Sequence, residues 1–173
     1  SMTGMIRGLV IDPIIRKRAT GGSTITQQLV KNTLLSPERT PTRKLKELIL
    51  AVQVDNRYSK DQILEMYLNN IPYGGTAVGI EAASNLYFNK KAKDLKLSES
   101  AFLAGLPQLP SFYSPYINPD KTYIGRSESV LRRMREDGHI SKKQEEQALK
   151  DIKAFKFEER QITESIKAPH FVM

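Results

Sequence analysis

The residues best equipped for chemistry stand between Gly21 and Glu47. Gly21 to Asn32, GGSTITQQLVKN, sets paired glycines before small hydroxyl and amide side chains, then an apolar segment carrying a lysine. Gly21 and Gly22 permit a tight turn and close backbone approach. Ser23, Thr24 and Thr26 are of types that cap a helix, and a helix start favours an anion through its unsatisfied N–H groups and its dipole. Gln27 and Lys31 are four residues apart and Gln28 and Lys31 three, so they share a helix face and can converge on one ligand. On composition alone the stretch is a capped helix start. From residue 31 to 47, Lys31, Arg39, Arg43, Lys44 and Lys46 face only Glu38 and Glu47, a local cation excess. Arg43 and Glu47 have the i, i+4 spacing of a helical ion pair, worth about 0.2–0.5 kcal/mol on an exposed surface.

The whole chain has the same bias. Its 173 residues fit one domain with a sizeable core, and the formal net charge of +8 implies an acidic partner: nucleic acid, an anionic membrane or a phosphorylated substrate. Nucleic acid ranks low, because no recognition-helix, zinc-finger or stacking-aromatic pattern occurs. Lys90, Lys91 and Lys93 read as a solvated face. The absence of cysteine excludes disulfides, zinc–thiolate sites and a cysteine nucleophile. No uninterrupted run of about 18 apolar residues is present to span a membrane, and no signal-peptide pattern is read. His139 and His170 lack metal-ligand spacing, so the residues call for no metal.

The elements that must position these groups are helices, and the fold class is mainly α. Met5, Ile6, Leu9, Val10, Ile14 and Ile15, interrupted by Pro13 and flanked by Arg7, Arg16, Lys17 and Arg18, form an amphipathic basic segment suited to a core or a membrane surface. Leu45, Leu48, Ile49 and Val52 predict a helix with one buried stripe. Ser59 to Gln62 reads as a capping box opening the next helix. Asn70 to Gly75 is a loop, residues 77–88 an alanine-rich helix, and Leu97 to Leu106 a helix stopped by Pro107. The proline-rich stretch 107–119 is expected to be an ordered loop. Helices over about 121–137 and 141–152 follow, with Gly138 as a stop and Ser141–Gln144 as a second capping box.

GGSTITQQ resembles the second signature of the family 51 glycosyltransferases, the peptidoglycan polymerases that occur as monofunctional transglycosylases and in class A penicillin-binding proteins. Three further signatures follow in order: Arg43 to Glu47 resembles RKxxE, Lys60 to Asn69 resembles KxxILxxYLN, and RSESVLRRM from Arg126 to Met134 resembles a looser arginine-then-VLxxM motif. The family's first signature, EDxxFxxHxG, with the glutamate regarded as the base, is absent; the resemblance places it just before Thr3. The tail from Ala154, ending in Ala168-Pro169-His170-Phe171-Val172, is similar to the junction that leads to a transpeptidase, although no SxxK or KTG motif occurs. The resemblance thus implies a lysozyme-like multi-helix glycosyltransferase domain over 1–153 without its first motif, and over 154–173 the start of a linker to an absent transpeptidase domain.

The same resemblance implies polymerisation of lipid II onto a growing glycan strand, with lipid II, the strand, the membrane surface and a covalently linked transpeptidase as partners and moenomycin as inhibitor. It implies action at the outer face of the bacterial cytoplasmic membrane. Glu47 becomes the second essential acid. Lys31, Arg39, Arg43 and Lys44 are placed by the donor phosphates and joined by Arg126 and Arg133, a position that relatives can fill with lysine. Ser23, Thr24 and Gln28 would hydrogen-bond substrate, and Gln108 would line the donor site. The resemblance implies no certain cofactor and leaves open a divalent cation such as magnesium or manganese. Glu65 and Tyr67 are read as structural, Ile63, Leu64 and Leu68 as core, and Asn69 and Glu81 as buried hydrogen-bonding groups shaping the cleft. Two alternatives stand beside this: a lysozyme-like glycan hydrolase, which needs paired carboxylates and no cation cluster, and a non-catalytic module that binds lipid II or glycan.

Overall fold

A computed structural model describes residues 24–35 and 40–157. These form two compact units that divide between Asp94 and Leu95. Expectations for the segment from Met5 to Arg18, for Ser23, Glu38, Arg39 and His170, and for the tail after Phe157 lie outside the described residues. Among the described residues the regular structure is helical apart from one isolated antiparallel bridge between Pro72 and Val78, as a mainly α fold requires.

In the first unit, α1 spans Ile25–Thr33, α2 Pro41–Arg57, α3 Lys60–Asn70 and α4 Ile80–Phe88, followed by a short 3-10 turn at Ala92–Asp94. The starts of these helices are written locally. Thr24 caps α1 in a reciprocal box: the Gln27 amide donates to Thr24 Oγ1 at 3.2 Å, and the Thr24 amide donates to Gln27 Oε1 at 3.3 Å. Thr40 caps α2, with Pro41 at the first helical position, where no intrahelical N–H bond is lost. Ser59 and Gln62 form the expected box on α3. Each such cap contributes about 1 kcal/mol.

α1 packs against both α2 and α3, around Leu29, Val30, Ala51 and Ile63. A side-chain bond ties α1 to α2, the Thr26 hydroxyl donating to Asp55 Oδ1 at 2.6 Å. The 71–79 turn is held by Tyr73 N–H to Ala77 O and Gly79 N–H to Ile71 O. Tyr73 is buried there, its carbonyl accepting from the Tyr87 hydroxyl, and burial, helped by nearby Tyr67, pushes its phenol well above the usual range. Gly79 has φ of 84°, and a Cβ would lie 2.7 Å from the Asn69 carbonyl oxygen, so only glycine lets the chain pass the end of α3. The helix expected over 77–88 therefore begins at Ile80.

Two expectations fail on which face is packed. Leu45, Ile49 and Val52 do not form a buried stripe: they are 58%, 52% and 52% exposed, and the buried residues of α2 are Glu47 and Ala51. The two sets lie on nearly opposite sides of the helix, since two residues advance it by about 200°. Small Ala51 admits close approach to the neighbouring helix, and the acid is tolerated inside because it carries its own cations. Likewise Ile63 is core, but Leu64 is exposed and Leu68 only half-buried.

The second unit contains α5 (Leu97–Gly105), a 3-10 turn (Leu106–Gln108), α6 (Pro110–Tyr113), α7 (Tyr123–Glu136) and α8 (Lys142–Lys153). The 107–119 stretch, expected as loop, thus holds a short helix, with Pro110 at its first position. α7 packs against α5 and α8 around Phe102, Leu103, Leu106, Leu131, Ala148 and Ile152. Gly138 ends α7 at φ of 79°, and Ser141 with Gln144 boxes the start of α8, both as expected. Arg135 Nε meets Glu145 Oε2 at 2.5 Å across the α7–α8 turn. Phe155 and Phe157 return after α8 to the rings of Phe102 and Tyr123; the centroids of Phe102 and Phe157 are 5.1 Å apart and stacked.

Candidate active site

Glu47 is the buried acid of α2. It is 1% exposed, and both of its cations come from one turn earlier in α2. Lys44 Nζ donates to Glu47 Oε1, and Arg43 Nη2 stands 3.8 Å from Oε2 with its own side chain 14% exposed. Burying a carboxylate is costly unless it is paired, so this is not the exposed pair that the spacing alone suggests. Arg43 and Lys44 also sit in the first turns of α2, where the unsatisfied N–H groups already carry partial positive charge. Two cations there oppose the helix dipole; Glu47 offsets them, and an anion from outside would offset them further.

α1 carries the remaining described candidates of this unit. Thr24 is the cap residue; its oxygen accepts the Gln27 amide, and its hydroxyl hydrogen is a donor. Gln28 Oε1 accepts from the Tyr67 hydroxyl of α3 at 3.2 Å. Lys31 is exposed in the last turn of α1. Gln27 faces its cap, so Gln27 and Lys31 are not a converging pair. Tyr67, read from the sequence as structural, also contacts a candidate substrate-binding residue through its bond to Gln28. Its signal was a polar-tipped aromatic among the apolar positions of its helix, but the partner is 39 residues away.

In the second unit, Arg126 lies near the start of α7, half-buried, and its Nε donates to the Gly105 carbonyl at 3.3 Å. Arg133 follows seven residues later on the same face of the helix and is exposed. Gln108 ends the 3-10 turn and is exposed. Two residues expected to be buried are not: Asn69 is exposed, and Glu81 is exposed with its carboxylate accepting from the Ala92 amide. For Glu81 a backbone donor meets the carboxylate at the surface, so burial is not needed. His139 is also exposed.

Among the described residues no three His, Cys, Asp or Glu side chains approach closely enough to hold a metal ion. No described helix is long and apolar enough to cross a membrane.

A family model described as "Transglycosylase" matches residues 1–135. Similar curated proteins include penicillin-binding protein 1A of Clostridium tetani, 57% identical over 125 residues, covering 70% of this chain and 16% of that protein. Penicillin-binding protein 1A of Clostridium botulinum (strain Langeland) is 46% identical over 155 residues, covering 87% and 19%. Penicillin-binding protein 1F of Bacillus subtilis is 47% identical over 138 residues, covering 80% and 19%. The chain thus spans about a fifth of the length of the curated relatives it matches. Among solved structures, penicillin-binding protein 1A from Haemophilus influenzae matches with a TM-score of 0.50 at 31% identity, over 77% of this chain and 17% of that one. With the helical content of the described residues, this likeness bears out a mainly α, lysozyme-like fold.

Proposed function

This chain belongs to the transglycosylase family, and on that premise we propose that it is the peptidoglycan glycosyltransferase part of a longer penicillin-binding protein, polymerising lipid II at the outer face of the bacterial cytoplasmic membrane. In this reaction the 4-hydroxyl oxygen of an incoming lipid II bonds to the anomeric carbon of the lipid-linked donor strand. The bond from that carbon to the pyrophosphate oxygen breaks, its electron pair leaves with the pyrophosphate, and the hydroxyl proton passes to a base. The residues assigned here stabilise the departing charge, which in a preorganised site is a large catalytic contribution.

The observation that carries the reading is the buried Glu47 with Arg43 and Lys44 on it. Glu47 holds the two cations in fixed geometry while leaving a net positive charge for the pyrophosphate. Lys31 and Arg39 add to this charge, and Ser23, Thr24 and Gln28 donate hydrogen bonds to the substrate. In the second unit, Arg126 and Arg133 are assigned to the same leaving group and Gln108 to the donor. The linked transpeptidase, the membrane surface and the growing strand are the partners in this reading. A glycan hydrolase has no comparable use for cations gathered on one acid, which favours transfer over cleavage.

The sequence contains no EDxxFxxHxG, so the chain as given holds the phosphate-binding half of the chemistry and not the family's base. It should bind lipid-linked sugar pyrophosphates, or moenomycin, and polymerise slowly. The test is lipid II polymerisation and glycan cleavage measured side by side, with this chain and with a form extended at its N-terminus to include the first signature. Polymer from the extended form and little from the short one supports the reading. Glycan cleavage by either form without polymer overturns it.

A further inference from the structure

We propose that Gly105 is a positioning residue for Arg126, its missing side chain and its carbonyl together setting where the guanidinium is presented; this rests on the leaving-group role assigned to Arg126 above. Gly105 is the last residue of α5, buried, with φ of −76° and ψ of −32°. Any L-residue adopts that conformation, so backbone freedom does not explain a glycine there, and in a helix glycine costs about 1 kcal/mol against alanine. Space explains it. A Cβ on Gly105 would stand 2.9 Å from Arg126 Cγ and 3.8 Å from Arg126 Cβ. The aliphatic stem of Arg126 therefore lies in the volume that the glycine leaves open.

The carbonyl completes the seat. Where α5 passes into the 3-10 turn, the Gly105 carbonyl accepts Arg126 Nε–H at 3.3 Å. The bond uses Nε–H; in the planar guanidinium one Nη–H points to the same side, and the other three Nη–H donors point away from Gly105 toward where a phosphate would bind. Half-burial strengthens whatever those donors then bind. The 3-10 turn bearing Gln108 starts at the next residue, so the same backbone point anchors both second-unit candidates. Gly125, the neighbour of Arg126 on α7, differs: a Cβ there meets nothing within 4 Å.

The test uses this chain, inorganic pyrophosphate as probe, and NMR of arginine Nε–H groups. In the parent protein the Arg126 Nε–H resonance should exchange slowly with solvent; in Gly105→Ala it should shift and exchange fast, and pyrophosphate should bind about tenfold more weakly, the size of one charge-assisted hydrogen bond. Gly125→Ala should leave both readouts unchanged. Arg126→Ala should lose the same affinity, and Gly105→Ala added to it should cost nothing more while removing the steric conflict, so that the double variant folds even if the single one is impaired. An unchanged Nε–H signal in Gly105→Ala, or a further affinity loss in the double variant, would overturn the proposal. If Arg126→Ala binds pyrophosphate as the parent does, the leaving-group reading of Arg126 falls and takes this proposal with it. If Arg126→Ala weakens binding and Gly105→Ala does not, this proposal alone falls.

Discussion

Tyr67 on α3 donates its phenolic hydrogen to Gln28 Oε1 on α1, a 3.2 Å bond across the first unit. It joins the KxxILxxYLN stretch, which otherwise reads as scaffold, to a residue proposed to touch substrate, and it fixes which end of the Gln28 amide faces α3. Tyr67→Phe keeps the ring and removes the donor. We expect a loss of about 1 kcal/mol in denaturant unfolding, with affinity for a lipid-linked sugar pyrophosphate falling several-fold. Unchanged affinity with reduced stability would make Tyr67 purely structural.

The cation set has an ionic signature. Arg43 and Lys44 are held on Glu47 near the start of α2, and Lys31 stands exposed on α1. Binding of inorganic pyrophosphate should weaken as salt rises from about 0.01 to 0.15 M, where the screening length falls from about 30 to 8 Å. In Lys31→Ala/Lys44→Ala the affinity at low salt should drop and its salt dependence should flatten. Calorimetry at several salt concentrations measures both, and a slope unaffected by the double substitution would place the anion elsewhere.

α2 presents an apolar stripe to the outside and an acid and an alanine to the inside. Ile49→Ser should therefore change stability by no more than about 0.5 kcal/mol. Ala51→Leu, which inserts three carbons where α2 meets its neighbour, should cost about 1–3 kcal/mol. Urea denaturation ranks the two, and a larger cost for Ile49→Ser would restore the stripe to the core.

That reversal marks what was legible in the sequence and what was not. The caps at Thr24, Ser59 and Ser141 and the stop at Gly138 depend on residues within a few positions of each other, so their chemistry could be read along the chain. Periodicity showed that Leu45, Ile49 and Val52 share a face, but not whether another helix lies on it. The inside position of Glu47 depended on two adjacent cations making a buried acid tolerable, which hydrophobic patterning scores the wrong way round. The Tyr67–Gln28 and Arg126–Gly105 bonds join positions 39 and 21 residues apart, and no local signal encodes either. Asn69 and Glu81, expected to be buried, are exposed, Glu81 with its carboxylate accepting from the Ala92 amide at the surface.

The central claim is that the buried Glu47 holds cations for a departing pyrophosphate. Its most direct test is the rate of lipid II polymerisation by the N-terminally extended form with Glu47→Gln, an isosteric change that removes the charge. Folded protein that makes no detectable glycan polymer is expected, whereas polymerisation at the parent rate would contradict this role of Glu47.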